Sequence, residues 1–399
     1  MSADRVVVDF DHHTKEYAEH HDAILEKMRE QCPHAVWSEN HGGYWAVVGY
    51  DAAKRVLSDA ETFSSAKLPD GTRGKTVPSV GPRLIPAECD APLHTTLRRV
   101  LAPMFNRPAA ERLRPEIERC VSATLDRVIE LGEFDGSTDI ADRIAPGVVV
   151  DYLGFRAEDR EGLIRSVQVG MHTDPTPEGE RTKIAALGEI VGKIGAVVAA
   201  RRAQPEQDLV SYLVSHPDLA ELADEDLMWL VFTLLLGGME NTTAWMTNTL
   251  LHLEQDRELR RRLIEDPSLI TKAGEELLRY YSPAVSLGYT AAVDTDVCGV
   301  PMKEGERVLV LVPGANHDPQ VFPAPHVFDL DRKTWQHLGF GNGPHFCPGA
   351  PLARLEFRIF LEQVLQRIPD YSLDLDRCAR VDDAGIMNGW RTLPGRTNR

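Results

Sequence analysis

The sequence predicts a mainly α-helical protein with small β-sheets, and three observations carry that prediction. Helix-period patterning dominates residues 93 to about 280. Within it, one very long helical pattern runs from Asp224 to about Glu265. Strand signals are Tyr44–Gly49 (YWAVVG), after the turn pair Gly42-Gly43, and 293–312, whose alternation reads as a short hairpin. The expected arrangement is one domain over 1–399, with a small β-rich region (about 1–65 and 293–312) packed on a helical body.

The remaining elements follow in order. Residues 15–31 read as an early helix. Residues 63–92 are rich in Gly and Pro and lack any period, and so long a loop in a compact body points to function. Helices then follow, broken at 172–180 (HTDPTPEGE) and again at 201–208 (RRAQPEQD). The first half of the 224–265 pattern is apolar nearly all round, which predicts a helix buried through the middle of the protein. A turn-rich stretch leads to Cys347, and a last helix is expected from Pro351 to Ile368.

Apolar residues make up 43% and charged residues 26% of the chain, a soluble globular profile. Lys and Arg total 44 against 61 Asp and Glu, a net charge of -17. Such an acidic chain lacks the phosphate-neutralising surface of a nucleic-acid or anionic-membrane binder. No stretch of about 20 apolar residues and no leader-like opening is present, so a cytoplasmic monomer off the membrane is expected. The six cysteines lack CxxC spacing and read as free thiols, with one exception.

That exception is Cys347, in Phe340-Gly-Asn-Gly-Pro-His-Phe-Cys347-Pro-Gly349. A glycine-rich turn delivers one cysteine to a helix start, where the dipole and free amides favour a thiolate. Gly341, Gly343 and Gly349 allow a tight backbone and close approach of a flat ligand. A single thiolate so held suits axial ligation of haem iron.

This segment resembles the haem-binding loop of the cytochrome P-450 family, and further family landmarks follow across essentially the whole chain. Glu276-Leu-Leu-Arg279 resembles the E-x-x-R ion pair that braces the cysteine loop, and Asn316–Pro319 with Phe322–Pro325 resembles the meander after it. His94-Thr-Thr-Leu-Arg98 resembles the H-x-x-x-R whose side chains reach the haem propionates, with His345 as a third donor. The resemblance implies the cytochrome P-450 fold, with heme b (iron protoporphyrin IX) buried between the long I helix and the cysteine-loop/L helix. Cys347 is then the metal ligand, and Phe340, Gly341 and Gly349 belong to the cofactor-binding turn. It also implies an oxygen-activating monooxygenase.

Gly237-Gly238-Met239-Glu240-Asn241-Thr242 falls where the family distorts its I helix over the haem to admit dioxygen and water. Two glycines inside a helix cost roughly 1 kcal/mol each relative to Ala, so they need a reason. By resemblance Glu240 is the proton-relaying acid. Asn241 stands where Thr is usual, and an amide donates a hydrogen bond but cannot relay a proton as a hydroxyl does. Thr242 lies about 100° further round the helix.

Three other departures matter. Tyr289 occupies the position of a propionate-binding Arg, offering a hydrogen bond without charge. Pro348 has no N–H for the sulfur, which predicts a more electron-rich thiolate. Val327 stands where the meander often has Arg, predicting a weaker brace.

Family substrate regions map onto 63–92, 172–180, Thr233 to Ala244, Ala284 to Leu287 and Ile386 to Gly389. Thr233, Gly237, Ala244, Val285, Leu287 and Met387 are the expected pocket residues, suiting a small to medium hydrophobic substrate. The opening, with VDFD at Val8–Asp11 and GGYW at Gly42–Trp45, resembles the camphor- and cineole-oxidising branch and hints at a terpenoid. Electrons are expected from a separate ferredoxin or flavodoxin. Arg98, Arg99, Arg107, Arg112, Arg114, Arg354 and Arg358 form a basic set that suits an acidic partner. The alternative activities on this scaffold are aromatic coupling, desaturation and peroxide-driven oxidation.

Overall fold

The computed structural model describes residues 5–171, 176–332, 336–381, 383, 385 and 387–398. Residues 172–175 of the expected break and Ile386 of the expected pocket lie outside the described residues.

The early helix spans Lys15–Gln31, started by Thr14, whose hydroxyl accepts from the Tyr17 N–H at 3.2 Å. The strand expected at Tyr44–Gly49 is Tyr44–Val47. It lies in a six-stranded sheet whose order is Val7–Val8, Ala35–Ser38, Tyr44–Val47, Arg307–Leu311, Ser286–Ala291 and Phe63–Ser64. The C-terminal half of this sheet therefore begins before residue 293. The predicted hairpin is two things: a separate pair, Thr295–Val297 with Val300–Met302, and the sheet strand Arg307–Leu311.

The long helical pattern splits into Asp224–Gln255 and Arg257–Glu265. Asp256 ends the first helix and caps the second, accepting from the Leu259 N–H at 2.8 Å. The fully buried part of the first helix is its second half, Ala244–Glu254, and not the first half as expected. Most of its polar side chains find partners, although the Trp245 indole N–H and His252 Nε2 do not. Asn248 donates to the Asn388 carbonyl at 2.8 Å and accepts from the Trp390 indole at 3.0 Å, while Glu254 pairs with Arg260 at 2.6 Å. The first half is apolar yet partly open, because one face lines a cavity.

The last helix is Ala350–Arg367. Trp245 of the central helix stacks on its Phe357 with ring centroids 3.9 Å apart and planes at 6°. A third helix, Ile270–Tyr281, closes on the same ring through Gly274, where a Cβ would lie 2.8 Å from Phe357. The first two of these helices line the cavity, and the third packs behind them. Among the described residues, no helix is long and apolar enough to cross a membrane.

Candidate active site

The turn Phe340–Gly349 carries Cys347 to the start of the last helix. The Cys347 N–H donates to the Phe340 carbonyl at 2.9 Å. Gly341 and Gly343 hold φ of 73° and 68°, a region that side chains disfavour. Burial pushes the Cys347 thiol up, opposed by the Gly349 N–H, the Arg98 charge, the Ala350 N–H and the Arg354 charge. Two amides beyond Pro348 thus still serve the sulfur, so the donor expected to be missing leaves others in place.

Two buried ion-pair networks hold this turn. Arg279 grips Glu276 with two bonds, at 2.7 and 2.9 Å, and donates to the carbonyls of Asn316 and Pro325. Arg332 adds a 2.9 Å contact to the same carboxylate. Val327 is exposed, but the brace it was expected to weaken is supplied by Arg332, five residues later.

The second network was missed. Glu275 binds Arg354 of the cysteine helix at 2.6 and 2.8 Å and His337 at 3.0 Å. Burial alone would raise the Glu275 carboxyl, but these partners bring it down to about 2. A depressed carboxylate contributes stability that is complete above its ordinary value of 4.5 and is lost as pH falls toward 2. Glu275→Gln is therefore expected to remove about 3 kcal/mol near neutral pH and to flatten the acid limb of a denaturation series. An unchanged acid limb would contradict this.

Between the central helix and the cysteine turn lies a cavity of about 390 Å³. The helix is unbroken here, so the groove does not come from a break. It comes from Gly237, where a Cβ would meet nothing within 4 Å. Gly238 has the opposite role: a Cβ there would lie 2.7 Å from Val149, so it admits the helix Asp142–Leu153. Glu240, Asn241 and Thr242 all line the cavity. Glu240 Oε1 is buried without a partner, and burial pushes the carboxyl up to about 8. A second orphan, Glu356 Oε1 on the cysteine helix, also faces this space and is likewise pushed well up by burial. It sits nine residues past the ligand and the sequence reading passed over it.

The other end of the cavity gathers nitrogen donors. His94 and His345 lie with ring centroids 4.0 Å apart, and the Ser65 hydroxyl meets His345 Nε2 at 3.2 Å. Burial, with help from the nearby Arg98 and Lys75 charges, lowers His94 to about 4. His345 is lowered by burial and by Lys75, His94 and Arg98. Arg98 donates to the Phe346 carbonyl at 2.7 Å. Tyr289 Oη is buried without a partner. Clustered donors with an orphaned hydroxyl fit the carboxylates of a haem, and one thiol in a largely apolar chamber fits its iron.

Thr233, Gly237, Leu287, Phe340, Gly341 and Gly349 line the cavity, but three expected pocket residues do not. Ala244 lies beyond the cavity's end, under Gly389, where a Cβ would stand 3.0 Å away. Val285 precedes its strand and packs under the sheet with Leu309 and Leu311, and Ala284 lines the cavity instead. Met387 bridges Ala284 from behind, in a cluster with Ala244 and Val381.

The family model described as Cytochrome P450 matches residues 196–376. The chain is 32% identical to the cytochrome P450 monooxygenase PikC of Streptomyces venezuelae, over 94% of this chain and 90% of that protein. It is 34% identical to the 6-deoxyerythronolide B hydroxylase of Saccharopolyspora erythraea, over 83% of this chain and 84% of that one. The crystal structure of P450BioI in complex with a hexadec-9Z-enoic acid ligated acyl carrier protein superposes with a TM-score of 0.85, at 27% identity, over 96% of this chain and 100% of that one.

Proposed function

Because the chain belongs to the cytochrome P450 family, haem-thiolate oxidoreductases that hold heme b on a cysteine, we propose that it inserts one oxygen atom of dioxygen into a small to medium apolar substrate. The observation that carries this reading is the buried, unpartnered Glu240 carboxyl in the same chamber as the Cys347 sulfur. Heme b supplies the oxygen-activating redox chemistry when bound. In this reading Cys347 ligates its iron, and His94, Arg98, His345 and Tyr289 meet its propionates.

Glu240 Oε1 holds a proton at neutral pH, since its carboxyl ionises only near 8. It delivers that proton into the groove left by Gly237. Asn241 donates a hydrogen bond beside it but does not carry protons. Leu84, Pro86, Thr233, Leu236 and Leu287 offer an apolar wall that excludes water and aims the substrate. A terpenoid is the guest favoured by the resemblance at Val8–Asp11 and Gly42–Trp45.

A cytoplasmic monomer fed by an acidic ferredoxin or flavodoxin completes the proposal. Arg99, Arg114, Arg354 and Arg358 are already paired with acidic neighbours. Arg107 and Arg112 are exposed, without ion pairs among the described residues, on a short helix packed beside the cysteine helix. These two are the cations left for such a partner.

The test is turnover of the holoprotein with a ferredoxin system under isotopically labelled dioxygen. One labelled atom per product is expected, with a rate that falls above about pH 8 as Glu240 ionises. Glu240→Gln should lower that rate about 100-fold with little change in substrate binding. Unlabelled product would instead favour coupling or desaturation, the reading that Asn241 keeps open.

A further inference from the structure

The donor-rich end of the chamber contains one lysine that the sequence reading did not anticipate. Lys75 is 8% exposed and lines the cavity. Its Nζ lies 3.5 Å from the centre of the Tyr289 ring. Among the described residues that amine has no hydrogen-bond acceptor.

Its placement is built. The loop backbone is tied down on both sides of Lys75. The Lys75 carbonyl accepts from the Gly288 N–H at 2.7 Å, and its N–H donates to Glu88 Oε1 at 2.7 Å. Arg307 reaches the carbonyls of Gly74 and Thr76 at 2.7 and 2.9 Å. A Cβ at Gly288 would stand 2.8 Å from the Lys75 carbonyl oxygen, so only glycine lets the loop approach this strand.

The neighbouring carboxylates are already used. Glu88 is buried and takes the Lys75 and Leu84 N–H groups on its two oxygens. Asp90 takes the Ser64 hydroxyl and the Ser65 N–H. Burial pushes the Lys75 amine well below the usual lysine range despite Glu88 and Asp90, so it carries its charge only beside an anion, and its open side is the cavity. Beside it stands the equally unpartnered Tyr289 Oη.

We propose that Lys75, reaching in from the loop before the His94 helix, supplies the propionate-binding charge that Tyr289 lacks. The cation is moved from the strand to the loop, and the pair Lys75–Tyr289 does the work of one arginine. The inference rests on the reading that places the haem propionates at the His94–His345 end. A substrate carboxylate would present the same chemistry to Lys75, and the test separates the two.

Ferric holoprotein is mixed with excess haem-scavenging apoprotein and haem loss is followed. Lys75→Met should lose haem about tenfold faster or more, and Lys75→Arg should stay near wild type. Holoprotein prepared with haem dimethyl ester has no propionate charge, so wild type and Lys75→Met should then lose the group equally. That equality excludes a general folding defect. An unchanged loss rate in Lys75→Met overturns the proposal, as does a defect that persists with the ester. If Lys75→Met keeps its haem but loses the spin shift given by a fatty acid and retains that given by its methyl ester, the anion is a substrate's. If faster loss also follows from removing His94 and His345 but the ester control fails, the placement of the propionates is itself wrong.

Discussion

Replacing Arg279 with leucine is expected to lower the unfolding free energy by about 3–5 kcal/mol and to leave little haem-loaded protein. The side chain is 1% exposed, and the Glu276 carboxylate beneath it 5%. Without Arg279 that charge keeps only Arg332 and the Asp329 N–H. The carbonyls of Asn316 and Pro325 also lose the guanidinium that each shares. Asn316 matters because its Oδ1 accepts from the Leu338 N–H at 2.7 Å, two residues ahead of the Phe340 turn. Damage at Arg279 therefore travels to the cysteine through one amide. Lysine should not rescue, since it cannot span a bidentate carboxylate and two carbonyls at once. Denaturant unfolding of Arg279→Leu and Arg279→Lys checks this. A loss below about 1 kcal/mol in both would show that the Arg332 contact alone is enough.

The second large effect is chemical. Cys347→Ala removes the sulfur while leaving the Gly349 and Ala350 amides and the braced turn in place. Turnover should nevertheless fall by more than about 100-fold, since weakening the surroundings of a metal ligand already costs 10–100-fold and here the ligand goes. No other cysteine lines the cavity to replace it. Comparing haem absorbance and product formation across the two proteins decides the matter. Retained turnover in Cys347→Ala would remove the thiolate from the chemistry.

How much of this was legible in the sequence depended on whether the information was local. The cysteine turn, the Glu276–Arg279 pair and the Glu240 glycine stretch are each encoded within a dozen residues, and the first and last line one cavity, though the helix there is unbroken. The pocket residues were harder. Ala244 is two turns from Gly237 and on nearly the same helix face, but periodicity gives a direction and not the point at which a cavity ends. Val285 was misplaced because side-chain alternation holds inside the strand Ser286–Ala291 and not at its entry. Arg332 escaped because a loop's path, unlike a helix, fixes no spacing between a residue and its target. Lys75 was invisible for the same reason: its position depends on a contact with Gly288, more than two hundred residues away in the chain. The buried half of the central helix was misjudged because apolar side chains line a ligand chamber as readily as a core.

Gly237 and Gly238 are identical in the sequence and opposite in what can befall them. A methyl group at 238 would strike Val149, so that site has no neighbouring solution open to it. At 237 a methyl meets only empty space, and alanine there would even favour the helix by about 1 kcal/mol. Position 237 is thus a place where a single methyl would enter the chamber itself, on the side that Glu240 and Cys347 share. The chamber's contents and the protein's architecture therefore answer to adjacent glycines, one facing the cavity and one facing Val149.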